Sequence, residues 1–199
     1  MSDVEIKFYF AYTSPFTYLA WAPAHDLERT HRVKLRFIPY GVNIRKTYGN
    51  LDDPTVERRK VRYLYLDARR IAKERDLIIY PPKKIFSCRR AFYGGQFAAK
   101  QDRFLPYSDR VFERFWRHEL DVENADAIDA VLAELGVDPL AFNRYADTDA
   151  RAELDRCFEE ANRDQVFGVP TFIVEGEPFW GEDQIDWLIK KLDALGLRR

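Results

Sequence analysis

Within Val4-Glu5-Ile6-Lys7-Phe8-Tyr9-Phe10-Ala11-Tyr12-Thr13-Ser14-Pro15-Phe16-Thr17, the hydrophobic pattern changes from that of a strand to that of a helix start. Val4, Ile6, Phe8 and Phe10 alternate with Glu5, Lys7 and Tyr9, and a period of two predicts a strand. Ser14-Pro15 predicts a helix from about residue 15 to 29, because Ser caps well and Pro suits the first helical position. Pro23 falls inside that span and is expected to kink or shorten it. Val33, Leu35 and Phe37 then alternate with Lys34 and Arg36 as a second strand. Residues 4–39 thus read as a parallel βαβ unit with a right-handed crossover.

Working outward, residues 45–163 read as helical. Residues 56–74 are charged and periodic, with Leu64, Ala68, Ile71 and Ala72 on one face. Tyr80-Pro81-Pro82 breaks the pattern. Further helices are expected over 88–100, 108–118, 125–135 and 149–162, with a short one over 139–145. Asp121 or Asn124 would cap the one carrying Ile128, Val131 and Leu132, and Gly136 would end it. Strand character returns at Thr171-Phe172-Ile173-Val174. A tight turn at Glu175-Gly176-Glu177 and a return strand at Pro178-Phe179-Trp180 make a hairpin. An amphipathic helix follows, with Ile185, Leu188, Ile189, Leu192 and Leu195 on one side and Gly196 closing it. The order βαβ, helices, ββα predicts an α/β chain. Residues 1–44 and 164–199 form a four-stranded mixed sheet with flanking helices, and 45–163 form an all-helical insertion.

Composition bounds the function. The chain has 199 residues, 46% of them hydrophobic, enough for a substantial core. Its 32 Lys and Arg balance 33 Asp and Glu, which favours neither nucleic acid nor a membrane surface as partner. The polar, acidic first residues predict no secretory leader, and no apolar run reaches the roughly 20 residues that span a bilayer. Cys88 and Cys157 are far apart, and His25, His31 and His118 lack zinc-like spacing. A cytoplasmic chain without disulfide or metal is the expectation. Both cysteines read as packing residues, Cys88 with the option of a lowered pKa beside Arg89 and Arg90. The Lys83-Lys84 and Arg89-Arg90 charges read as a solvated face, or else as an attraction for an anionic substrate.

Three short segments could carry chemistry. Tyr12-Thr13-Ser14-Pro15-Phe16-Thr17 sits at a helix N-terminus, where unpaired N–H groups and a partial positive charge stabilise a thiolate. Alone, it reads as an ordinary cap. Phe167-Gly168-Val169-Pro170-Thr171-Phe172 places a proline just before a strand, which alone is structural. Gly181-Glu182-Asp183 opens the last helix. Its acids either complement the helix dipole or receive a ligand amine, beside N–H groups suited to a carboxylate.

Taken together in a βαβ…ββα frame, these segments resemble a thioredoxin-like fold with a DsbA-like helical insertion. Ser14-Pro15-Phe16-Thr17 occupies the place of a Cys-Pro-x-Cys motif, with Ser14 and Thr17 in place of both cysteines. Val169-Pro170-Thr171 resembles the cis-proline loop. More narrowly, the chain resembles the 2-hydroxychromene-2-carboxylate isomerases and the related kappa-class glutathione transferases. The matching pieces are Phe8-Tyr9-Phe10, Thr13-Ser14-Pro15-Phe16, Tyr18-Leu19-Ala20, Gly49-Asn50, Lys60 with Arg62-Tyr63, Phe115-Trp116, Leu120-Asp121-Val122, the Val166–Phe172 run and Phe179-Trp180-Gly181-Glu182-Asp183.

The resemblance implies glutathione as cofactor, a small aromatic or unsaturated electrophile as substrate, and a homodimer. It implies that Ser14 positions and activates the sulfur and that Val169, before Pro170, pairs with the cysteinyl backbone. Glu182 and Asp183 would hold the γ-glutamyl end, and Asn50 and Lys60 would reach the tripeptide. Alternatives are a transferase that forms stable conjugates and a non-catalytic protein on the same scaffold. The chain departs from the family at Gly49-Asn50-Leu51-Asp52-Asp53-Pro54, where Gly-Asn-Arg-Pro-Pro is usual. It departs again at Phe86-Ser87-Cys88, where Asn is frequent, and at Gln184, where Arg is common.

Overall fold

Strand β1 (Val4–Phe10) pairs in parallel with β2 (Val33–Pro39), Val4 opposite Val33 and Phe10 opposite Pro39. β3 (Thr171–Val174) runs antiparallel to β1, with Phe8 opposite Phe172. β4 (Glu177–Trp180) returns antiparallel to β3, giving the strand order β2-β1-β3-β4. This is a computed structural model, and it describes residues 3–42, 47, 49 and 58–199.

Helix α1 (Pro15–Thr30) joins β1 to β2. It is followed by α2 (Arg59–Glu74), α3 (Arg89–Ala99), α4 (Phe104–Trp116), α5 (Ala125–Ala133), α6 (Pro139–Thr148), α7 (Ala150–Arg163) and, after β4, α8 (Ile185–Ala194). None of the described helices is long and apolar enough to cross a membrane. The chain divides into two compact units, Met1–Tyr40 with Asp155–Arg199, and Gly41–Leu154. The end of α7, which the sequence reading grouped with the helical insertion, therefore belongs with the sheet.

The first unit has two buried layers. On one face of β1, Phe8 stacks on Phe172 at 4.4 Å between centroids and meets Trp21 of α1 at 5.9 Å and Phe37 of β2 at 5.6 Å. On the other face, Tyr9, Ile38, Ala161, Val166 and Ile173 form a cluster against which Tyr40, Cys157 and Val169 pack. Cys157 is thus a packing residue, as its sequence context suggests.

This second face also holds charges. Lys7 Nζ lies 2.6 Å from Asp164 and 3.0 Å from Glu160, Arg36 donates to both oxygens of Glu160, and the Tyr9 hydroxyl donates to Asp164 at 2.6 Å. The Arg36 hydrogen bond, with help from Lys7, outweighs burial and holds Glu160 at a pKa of about 2, well below the ordinary carboxylate value. Burial and the bond to Asp164 push the Tyr9 phenol up. Burial works against the Lys7 charge, but its two carboxylate partners outweigh that, and its pKa rises.

In the second unit, Arg90 reaches Asp129 at 2.9 Å, donates to Asn143 and lies 4.4 Å from the Phe142 ring centroid. Lys84 pairs with Glu123. These cations are engaged with their own unit. Cys88 is buried at the N-cap of α3.

Several boundaries differ from the sequence reading. Pro23 does not shorten α1, which continues to Thr30. A proline removes one ladder hydrogen bond, and burial of Leu19, Ala20, Ala24 and Leu27 on both sides of it holds the helix together. α4 begins at Phe104 rather than 108, because Pro106 falls in the first turn, where its missing N–H leaves no partner unpaired. Asn124 caps α5 through Ala127 N–H at 3.1 Å, whereas Asp121 accepts from Glu123 within the preceding turn.

Candidate active site

Ser14 is the N-cap of α1. Its backbone is extended (φ −93°, ψ 117°) and its Oγ accepts from Thr17 N–H at 3.2 Å. Pro15 follows at the first helical position, so the local sequence sets both the helix start and the direction of the Ser14 side chain. The Ser14 hydroxyl in turn donates to the Val169 carbonyl at 3.3 Å. Val169–Pro170 is a cis peptide bond. Two segments 155 residues apart thus meet at one hydroxyl.

The loop is tied to the hairpin behind it. Gly181 N–H donates to the Pro170 carbonyl at 2.9 Å, and the Thr171 hydroxyl donates to the Gly168 carbonyl at 2.8 Å. After β4, Glu182–Gln184 form a single 3-10 turn packed against α1. Gly181 has φ +119°, and a Cβ there would meet the Asp183 carboxylate at 2.3 Å. Glycine at 181 therefore lets the Asp183 side chain fold back over the backbone. Asp183 is exposed and accepts from the Gln184 side chain at 2.8 Å, and Glu182 is half-buried.

Ser14, Val169, Pro170, Glu182 and Asp183 are thus linked within the first unit. Lys60 is exposed on the first turn of α2, in the other unit. Asn50 lies outside the described residues. Among the described residues, no group of three or more His, Cys, Asp or Glu side chains could hold a metal ion.

Two features went unread in the sequence. Thr17 is fully buried, and its hydroxyl has no hydrogen-bond partner. An exposed aromatic pair also flanks the loop, with Phe167 and Trp180 rings 4.7 Å apart and inclined at 65°. A Cβ on Gly168 would lie 2.5 Å from Trp180 Nε1, so the indole seats directly on the glycine. The only signal for this in the sequence is the glycine two residues before Pro170. Gly168→Ala is expected to push the indole off its seat at a cost of about 1–3 kcal/mol. A shift in Trp180 fluorescence, read against a Trp180→Phe control, together with a lower melting temperature, would register it. Unchanged emission and stability would mean the indole is not seated there.

The comparisons agree with this frame. A family model described as a DSBA-like thioredoxin domain matches residues 5–193. The 2-hydroxychromene-2-carboxylate isomerase of Sphingobium xenophagum is 26% identical over 188 residues, covering 92% of this chain and 95% of that protein. A solved 2-hydroxychromene-2-carboxylate isomerase superposes with a TM-score of 0.78 at 24% identity, over 96% of this chain and 95% of the other. The cytosolic disulfide reductase DsbM of Pseudomonas aeruginosa, solved with GSH, gives 0.66 at 15% identity, over 96% of this chain and 100% of the other.

Proposed function

The chain belongs to the DSBA-like thioredoxin domain family, and within it we propose a glutathione-dependent isomerase of the 2-hydroxychromene-2-carboxylate type. The observation that carries this reading is the Ser14 hydroxyl, at the N-terminus of α1 and within 3.3 Å of the carbonyl preceding the cis-proline. The isomerase relatives support the reaction class, and the GSH of the DsbM structure supports the choice of thiol.

Neither Ser14 nor Thr17 can form a disulfide, so this pair cannot run dithiol exchange. A hydroxyl at a helix N-terminus is instead suited to holding another molecule's sulfur as its anion. The residues present fit such a guest. The Ser14–Val169 bond is long, so its hydrogen is readily redirected, and the Thr17 hydroxyl beneath is unpaired. Bound glutathione would supply a thiolate that adds to an unsaturated substrate carbon and leaves again after the ring has opened and a bond has rotated. Ser14 would donate its hydrogen to the sulfur, and the Val169 backbone would pair with the cysteinyl backbone. Glu182 and Asp183 would receive the single ammonium, and Asn50 and Lys60 would serve the tripeptide's polar groups, Lys60 a carboxylate. The substrate would be a small aromatic or unsaturated electrophile.

The test combines calorimetric titration with reduced glutathione and product analysis on a chromene carboxylate. Millimolar or tighter binding, with isomer formed and glutathione recovered unchanged, is expected. Conjugate accumulating one for one with consumed glutathione would assign the kappa-like transferase reaction instead. No uptake at millimolar glutathione, with no thiol-dependent turnover, would leave a non-catalytic protein on this scaffold.

A further inference from the structure

Thr17 stands at the third helical position of α1, fully buried, with an unpaired hydroxyl. A buried hydroxyl without a partner costs stability. Threonine in a helix ordinarily turns its hydroxyl to a carbonyl one turn back, and Thr17 does not. Nor is it needed for the reciprocal cap in which the third side chain serves the N-cap N–H, since Ser14 N–H already donates to the Ala11 carbonyl at 3.1 Å.

The hydrogen bonds around Ser14 leave one vacancy. A hydroxyl donates once and accepts twice. Ser14 Oγ donates to Val169 and accepts from Thr17 N–H, so one lone pair remains. Thr17 Oγ1 carries one unused hydrogen. Helical side chains lean toward the N-terminus, which directs the Thr17 side chain to the turn bearing Ser14. Spare donor and spare acceptor thus lie one turn apart on the same helix.

We propose that Thr17 is a positioning residue whose hydroxyl closes onto Ser14 Oγ when the Ser14 hydrogen turns from Val169 to a bound sulfur. The second hydrogen bond polarises the Ser14 O–H and strengthens it as a donor. The unpaired hydroxyl of the free protein is then a group held ready for the liganded state. The proposal rests on the thiol reading above and deepens it.

The measurement is the pKa of the glutathione thiol bound to the whole protein, read from thiolate absorbance against pH. Thr17→Val keeps the shape and removes the donor. It is expected to raise that pKa by about half to one unit, a roughly three- to tenfold loss of thiolate on the acid side. Its melting temperature should equal or exceed the wild type's, because an unpaired polar group is gone. Thr17→Ser should keep the wild-type pKa. Where valine disturbs packing, serine against alanine repeats the comparison. Thr17→Val titrating with the wild type, or Thr17→Ser moving with Thr17→Val, overturns the role of Thr17 while leaving the thiol site standing. A wild-type protein that takes up no glutathione, or leaves its thiol near the free value of about 8.5, overturns the thiol reading and this role with it.

Discussion

Ser14→Ala is expected to lower thiol-dependent kcat/KM by about 10²–10³-fold, the usual loss when one preorganised donor to a developing or held anion is removed. The pKa of the bound thiol should climb toward its free value in the same variant. Two effects must be separated here, because Ser14 is also the cap of α1 through Thr17 N–H. Losing a serine cap to alanine costs about 0.5–2 kcal/mol, whereas glycine at the same position costs only a few tenths. Ser14→Gly should therefore be nearly as stable as the wild type yet as inactive as Ser14→Ala. Activity that follows stability, with Gly retaining most of it, would reduce Ser14 to a cap. Full activity in both variants would remove it from the site.

Glu160→Gln is expected to have the largest effect on stability. Glu160 is paired with both Lys7 and Arg36 and is mostly covered. The neutral amide removes the carboxylate that the two cations share, leaving Lys7 with Asp164 and Arg36 with Glu5, at a cost of about 2–3 kcal/mol, toward the low end for broken buried pairs because solvent still reaches the site. For a chain of this size that is a fall in melting temperature of roughly 4–12 °C. As a control, Asp26→Asn, in an exposed pair with Arg29, should stay within about 0.5 kcal/mol.

The same carboxylate gives a pH signature. Its folded pKa of about 2 lies below the ordinary glutamate value of 4.5. The stabilisation is therefore complete above the unfolded value and is lost as pH falls from about 4.5 toward 2. Its size is about 2 kcal/mol once solvent screening is allowed for. Wild-type unfolding free energy should drop across that window, and the drop should be shallower in Glu160→Gln. Parallel acid profiles for the two proteins would mean that the network does not set acid stability.

Much of the architecture was legible along the chain because it depends on near neighbours. The period of two over Val4–Phe10, the Ser14-Pro15 start and the alternation over Val33–Pro39 are local signals, and each element formed where it was read. The turn between β3 and β4 and the cap at Asn124 were readable for the same reason. Local signals failed where distant packing had the casting vote. Pro23 reads as a breaker, yet α1 continues because buried side chains on both sides hold it. Lys7 and Tyr9 read as the polar alternates of a strand, yet Tyr9 is fully buried.

By itself, the sequence determined the order of strands and helices, the position of Ser14 at a helix start, and the absence of a dithiol there. Those follow from backbone preferences and side-chain chemistry within a few residues. Only the tertiary structure decided that the Val169 carbonyl meets the Ser14 hydroxyl, that Thr17 is buried without a partner, and that Glu160 and Asp164 neutralise Lys7 and Arg36. Each of these is a meeting of atoms whose outcome depends on how far apart the folded chain leaves them. Periodicity assigns a residue to a face, but it carries no information about which distant segment covers that face.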